Sequence, residues 1–311
     1  MPAEWAHRVV FMGSKQLGLR SLESLIRALP GSIVGAVTID DTGDARSAHD
    51  RFTVLARERG VPLTVARTRA EAAEAVRRHE PDLCVVCGWY WRVGRVDLER
   101  VPRGFVGVHF SALPKYRGGS PLVWQIINGE PEVGLSLFSF AEGIDEGPIW
   151  AQRLIPLGPD EAVGDVLARL EALSVDVLAE HVPRILSGDA SARPQDPGGA
   201  TYCASRAPGD GEIHWEWPAR SVHDFIRAQS RPYPGAFTYA GDTRLTVWRS
   251  RREDVTYHAT PGQVLRVGRD GVWVGCGDDR PLVVEQVALG GADCPAADVL
   301  ASTTLRLGRS R

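Results

Sequence analysis

The chain has 311 residues, 43% hydrophobic and 24% charged, with a formal net charge of -3. That balance excludes a wholly disordered chain, a collagen or a coiled coil, and the length exceeds one ordinary domain of about 100–200 residues. The near-neutral charge supplies no global field for nucleic acid or an anionic membrane. Lys15 and Lys115 are the only lysines among 36 basic residues, which reads as compositional bias. Five cysteines without a dense framework point to a reducing compartment. No apolar run reaches the roughly 18 residues of a membrane span, and Met1–Gly13 has no signal-peptide pattern. The expectation is a cytoplasmic protein.

In chain order, Arg8–Gly13 reads as a buried first strand. Leu17, Leu22, Leu25, Ile26 and Leu29 then fall at helical spacing. Ser32–Thr38 predicts a strand, Ala48–Gly60 a helix, Val61–Val65 a strand and Thr68–His79 a helix. Leu83–Cys87, Gly104–His109, Val133–Phe140 and Ile149–Ile155 predict further strands, and an apolar stripe from Val163 to Leu186 predicts the longest helix. Strands alternating with helices predict a Rossmann-like α/β domain with a mostly parallel sheet. Ser187–Gly211, rich in Ser, Gly, Asp and Pro, reads as a linker or crossing loop. Beyond it come a helix at Pro218–Ser230 and five short strands: Ala236–Ala240, Arg244–Trp248, Gly262–Val267, Gly271–Gly275 and Leu282–Val287. These predict a small OB-like β-barrel. The expected division is a domain at 1–190, a linker at 191–205 and a domain at 206–311.

Several small motifs read as structural, the first as a strand-to-helix turn with substrate contact from that turn as the alternative. In Gly13-Ser-Lys-Gln-Leu-Gly18, Lys15 stands where a dinucleotide fingerprint needs glycine, and Leu19-Arg20 follows where a P-loop needs Lys-Ser/Thr. Cys84 and Cys87 lie in a buried strand, away from the exposed helix start of a redox pair. No histidine spacing suits a zinc site, so no metal is expected.

The informative stretch is Gly107-Val-His-Phe-Ser-Ala-Leu-Pro-Lys-Tyr-Arg-Gly-Gly-Ser-Pro121. His109 ends a predicted central strand, where ligands bind in open α/β sheets. A second stretch, Phe140-Ala-Glu-Gly-Ile-Asp-Glu-Gly147, puts Asp145 on a neighbouring loop. A His and an Asp so placed are suited to moving a proton. The pattern resembles the folate-dependent formyltransferase family, most strongly between Leu83 and Gln152. The run from Ile213 to Phe237 resembles the start of that family's second domain.

The resemblance implies use of 10-formyltetrahydrofolate as co-substrate, with His109 accepting the amine proton and Asp145 polarising it. It implies folate contacts at Trp91, Arg92 and Val93 and along Ala141, Glu142, Gly143, Ile144 and Asp145. The family's oxyanion-binding Asn is replaced by Gly107, and losing one such donor typically costs about 10²–10³ in rate. Ser111 is the nearest substitute in sequence, and the glycine suggests that space is wanted there. Tyr116, Arg117, Trp124 and Tyr233 are candidate acceptor contacts.

Residues 206–311 hold 14 arginines, no lysine and 13 acidic residues. A balance of +1 does not suit a phosphate-binding surface, so a small-molecule amine, an amino-sugar nucleotide or an amino acid derivative, is the expected acceptor, with nucleic acid not favoured. The alternatives are a 10-formyltetrahydrofolate hydrolase, a methionyl-tRNA formyltransferase and a non-catalytic folate-binding homologue. A homodimer is left open.

Overall fold

The structure, a computed structural model, describes residues 7–309. These divide into two compact units. The first comprises the chain up to Gly118, Gly134–Leu154 and Arg169–Tyr202; the second comprises Gly119–Val133, Ile155–Ala168 and the chain from Cys203 on.

A seven-stranded sheet organises the first unit. Its strands are β1 Val9–Gly13, β2 Ile33–Ile39, β3 Leu63–Ala66, β4 Leu83–Cys87, β5 Phe105–His109, β6 Glu132–Ser139 and β7 Ile149–Pro156. The spatial order is β3-β2-β1-β4-β5-β6-β7. The first five strands run parallel, and β6 runs antiparallel to β5 with Gly107 opposite Phe138 and His109 opposite Ser136. The helices are α1 Lys15–Ala28, α2 His49–Arg59, α3 Arg69–His79, α4 Arg95–Arg100, α5 Pro121–Ile127, α6 Val163–Ser187, α7 Ala219–Gln229 and α8 Ala296–Val299.

Parallel strands covered on both faces need apolar residues in unbroken runs. Accordingly β1 and β4 are buried from end to end. Val10, Met12, Cys84, Val86 and Phe105 pack with Ala72, Ala75 and Val76 of α3. Val9 and Phe11 point the opposite way and are also fully buried. Strand order reverses between β1 and β4. There Lys15, at φ +60°, sets its ammonium 2.8 Å from Asp41 and 2.7 Å from Asp44, and the Ser14 hydroxyl donates to the Gly88 carbonyl. The side chains of this turn are therefore taken up by the segments that follow β2 and β4. Burial pushes the Cys87 thiol up to about 12 and raises that of Cys84, which keeps both protonated and unreactive.

The second unit holds an antiparallel sheet of β8 Ala236–Ala240, β9 Thr243–Arg252, β10 Val264–Gly268, β11 Gly271–Gly275, β12 Pro281–Leu289 and β13 Ala292–Pro295. The order is β8-β9-β12-β11-β10, with β13 also on β12. Arg306 and Leu307 each make one bridge to an edge, Leu307 to Ala240 at the end of β8 and Arg306 to Gln263 just before β10. The helices α4, α5 and α8 and the strand β13 lie outside the sequence reading. Each is four to seven residues long, too short for a period to register. No helix among the described residues is long and apolar enough to cross a membrane.

Arg227 on α7 is buried beside Asp224, 2.7 Å away, and donates to the Gly158 and Glu161 carbonyls at 3.1 and 2.9 Å. Arg227→Ala leaves two carbonyls without this donor and the buried Asp224 carboxylate with only the exposed Arg220, 3.7 Å away. It is expected to lower stability by about 3 kcal/mol in urea unfolding.

Candidate active site

The site is built wholly from the first unit. Alternation along β5 puts Phe105, Gly107 and His109 on the face that α3 covers. His109 is buried, at 9% exposure, rather than facing an open cleft. Its Nε2 lies 2.7 Å from the Tyr116 carbonyl, so in the neutral ring Nε2 carries the hydrogen and donates it there. Nδ1 lies 3.6 Å from Oδ2 of Asp145. That oxygen also accepts from the Gly118 amide at 2.8 Å. Asp145 and Tyr116 both hold left-handed backbone, at φ +49° and +58°. Both loops are therefore bent to order, and one of them supplies a backbone contact to each member of the pair.

Gly107 does not mark open space. A Cβ there would meet the Phe140 ring at 2.7 Å and the Val86 carbonyl at 2.8 Å. The Phe140 ring stacks on Phe138 and Phe105, at centroid separations of 5.3 and 6.5 Å. Nor does Ser111 face the cleft: it is fully buried and donates to the Lys115 carbonyl at 2.7 Å, bracing its own loop. Arg117 is buried as well, its guanidinium spent on Gln195 and on the Tyr202 hydroxyl, which withdraws it from any acceptor. Tyr116 contributes backbone to the pair. Trp124 and Tyr233 belong to the second unit. There the Trp124 indole donates to the Ala204 carbonyl at 2.8 Å with Arg206 over its ring, and the Tyr233 amide donates to the Ser230 carbonyl at 3.0 Å.

The two loop stretches singled out on β4 and β6 do meet. Arg92 Nη2 donates to the Glu142 carbonyl at 3.0 Å. Trp91 sits edge-on to Trp89, 5.4 Å between centroids, and both pack with Val93 on the α3 face. Gly143 donates to the Glu146 carboxylate at 2.8 Å, while Glu142 and Ile144 are exposed. Met12, Trp89, Trp91, Val93 and Phe105 wall a cleft with about 20 Å³ of free volume. That is room for about one water molecule. No group of three or more His, Cys, Asp or Glu residues fit to hold a metal occurs among the described residues.

Sequence reasoning missed Phe140, Gln195, Thr201 and the Gly118 amide. Thr201 Oγ1 accepts from the Tyr116 amide at 2.8 Å, and the Thr201 carbonyl accepts from the Arg117 amide at 2.9 Å. Both Gln195 and Thr201 lie in the Ser/Gly/Pro-rich stretch, where no periodicity signals a contact. For Gly107, overpacking sets the expectation: Gly107→Asn lowers stability by about 1–3 kcal/mol. Combined with Phe140→Ala, the loss is smaller than the sum of the two single losses, and the coupling is partial because the Val86 carbonyl stays in the way. Thermal unfolding of the single and double variants measures both.

Residues 29–182 match the formyl transferase family, and residues 207–304 match the formyl transferase C-terminal domain. A methionyl-tRNA formyltransferase of Sorangium cellulosum is 35% identical over 308 residues, covering 97% of this chain and 98% of the relative. Among solved structures, the sugar 3N-formyl transferase WlaRD, crystallised in the presence of dTDP and 5-N-formyl-THF, superposes with a TM-score of 0.69 at 16% identity over 89% of this chain and 97% of that one. An N-formyltransferase from Helicobacter canadensis, in complex with folinic acid and dTDP-3-aminofucose, gives 0.66 at 17% identity over 89% and 98%. At these identities the two structures speak to the fold.

Proposed function

Because the chain belongs to the formyl transferase family, we propose that it moves a formyl group from 10-formyltetrahydrofolate to an amine, and that the amine is that of methionyl-tRNA. The observation that carries the chemistry is the His109–Asp145 pair at the end of a central strand, 3.6 Å apart. The observation that carries the acceptor is the 35% identity to a methionyl-tRNA formyltransferase along nearly the whole of both chains. The proposed division is a catalytic domain at 1–190, a linker at 191–205 whose Gln195 and Thr201 pack on the site, and a second domain at 206–311, acting in the cytoplasm.

The residues suit a folate. Apolar walls at Trp91 and Val93 face a flat ring system, and the backbone of Ala141–Asp145 offers donors and acceptors to its polar edge. Arg92 ties these two walls together. The cleft is too narrow for a fused ring as it stands, so Trp89 and Trp91 turn aside on binding. When bound, the folate supplies an activated formyl carbon for the amine to attack.

His109 is the proton acceptor. Its Nε2–H is held by the Tyr116 carbonyl, which leaves Nδ1 as the basic nitrogen. Asp145 stabilises the imidazolium that forms, and is itself fixed by the Gly118 amide. The Tyr116 carbonyl, which accepts from the ring N–H opposite the basic nitrogen, thus plays the orienting role of the third member of a catalytic triad, and Asp145 acts on the charge formed at Nδ1. Gly107 supplies no oxyanion donor.

A second reading keeps the same chemistry with a small-molecule amine as acceptor. It is favoured by the +1 balance of residues 206–311 and by pairing of arginines there with carboxylates, such as Arg249 with Glu285 and Arg231 with Asp293.

The test is a product assay with 10-formyltetrahydrofolate and either methionyl-tRNA, a panel of small amines or water alone. Formylated methionyl-tRNA is expected. A formylated small amine in its place selects the second reading. Free formate alone selects hydrolysis, and binding without turnover selects a non-catalytic folate binder. His109→Ala is expected to lower turnover by about 10²–10⁴, the scale of general base catalysis. Tryptophan emission is expected to change on titration with the folate, as Trp89 and Trp91 move; unchanged emission with measurable binding rejects the proposed folate cleft.

A further inference from the structure

We infer that Gln195 is a positioning residue for the His109–Asp145 pair; the inference rests on the formyl-transfer reading of that pair. Arg193 and Ile149 exchange two backbone hydrogen bonds, each 2.8 Å. This bridge lays the segment that follows Arg193 alongside the loop leading into β7. The Gln195 side chain is half-buried there, and its amide makes four contacts. Nε2 donates to the Asp145 carbonyl at 2.8 Å and to the Gly147 carbonyl at 2.6 Å. Oε1 accepts from Nε and Nη2 of Arg117 at 3.1 and 2.8 Å.

Arg117 stands between the two residues whose backbone serves the pair. Tyr116 before it accepts from His109, and Gly118 after it donates to Asp145. One side-chain amide therefore ties the segment that orients His109 to the segment that carries Asp145. The tie has something to oppose. Asp145 sits at φ +49°, a left-handed conformation that L-residues adopt only where their surroundings hold it. Left to itself, the loop relaxes away from it. Gln195 clamps the backbone carbonyls of Asp145 and of Gly147, while Gly118 holds the carboxylate.

The plainer account is that Gln195 serves only to satisfy the buried Arg117 guanidinium. The two accounts part at the donor side of the amide. Gln195→Glu keeps the oxygen that accepts both Arg117 hydrogen bonds and strengthens that contact by charge, but it replaces the amide nitrogen and its two donated hydrogens by an oxygen facing two carbonyls. Positioning then fails while the Arg117 contact survives.

The experiment measures kcat and KM for 10-formyltetrahydrofolate turnover in wild type and Gln195→Glu, with hydrogen exchange of the Phe140–Pro148 segment alongside. Positioning predicts a kcat loss of about 10²-fold, the scale of a misplacement of about 1 Å. It also predicts KM little changed and faster exchange in that segment. Wild-type kcat in Gln195→Glu, or wild-type exchange in the loop, overturns the inference. If Gln195→Glu does not fold, Gln195→Met, of similar length and without donors, is measured the same way against the same outcomes. If wild type turns over no formyl-folate, the functional reading has failed, and the exchange measurement alone decides whether Gln195 holds the loop.

Discussion

A backbone amide decides where Asp145 stands. The Gly118 N–H holds the carboxylate, and two residues earlier the Tyr116 carbonyl holds the His109 ring, so both members of the pair are set by one loop. That loop is in turn set by the sheet. The register of β5 on β6 puts Ser136 opposite His109, and the Ser136 hydroxyl donates to the Ser111 carbonyl at 2.7 Å. Gln152 donates both to Ser136 and to the Leu113 carbonyl. The Ser111 hydroxyl closes the loop onto Lys115. The Ser111 and Ser136 hydroxyls and the Gln152 amide of this series all have partners, and a satisfied buried network is rigid. A slip of one residue in the β5–β6 register turns Ser136 to the other face and dismantles it.

The same register builds an apolar wall beside the pair. Phe138 meets the His109 ring edge-on, 6.2 Å away, and Phe140 and Phe105 continue the stack. Glycine at 107 follows from this wall, because the Phe140 ring occupies what a Cβ would need. The absence of a polar side chain at 107 is a packing consequence that involves two strands, and the rest of the pair's surroundings are intact.

Long apolar runs made the parallel sheet legible in the sequence. Val9–Gly13 and Leu83–Cys87 contain no polar residue, and only buried strands or helices tolerate that; flanking glycines and length select strands. The position of His109 and of Asp145 at strand ends followed from the same pattern. Their surroundings did not, because they depend on contacts far apart in sequence. Phe140 over Gly107 needs the antiparallel register of β6, which no local pattern encodes. Gln195 and Thr201 sit in a stretch whose composition speaks only for irregular backbone. Gly107, where the sequence suggests open space, is filled for the same reason: a glycine reports that a side chain is excluded, and only the fold says what excludes it. Arg117 looked available because arginine is usually exposed, yet its stem and head are buried among loop contacts.

The acceptor is where identity and charge pull in different directions. Attraction for a polyanion comes from positive groups that are free to release counterions. In the second unit Arg249 faces Glu285 at 2.9 Å, Arg251 faces Asp270 at 2.7 Å and Glu285 at 3.2 Å, and Arg309 faces Glu212 at 3.1 Å. A phosphate arriving at such an arginine displaces a carboxylate, so its gain is the difference between two similar contacts. Arg244 and Arg266 are differently placed: they lie over the rings of Phe237 and Trp273, at 4.0 and 5.4 Å. A ring attracts a cation without neutralising its charge, so these guanidinium groups keep their pull on an anion. If a nucleic-acid acceptor docks on this unit, its phosphates are held by a few such stacked arginines, and recognition leans on shape and on the aminoacyl end more than on the field.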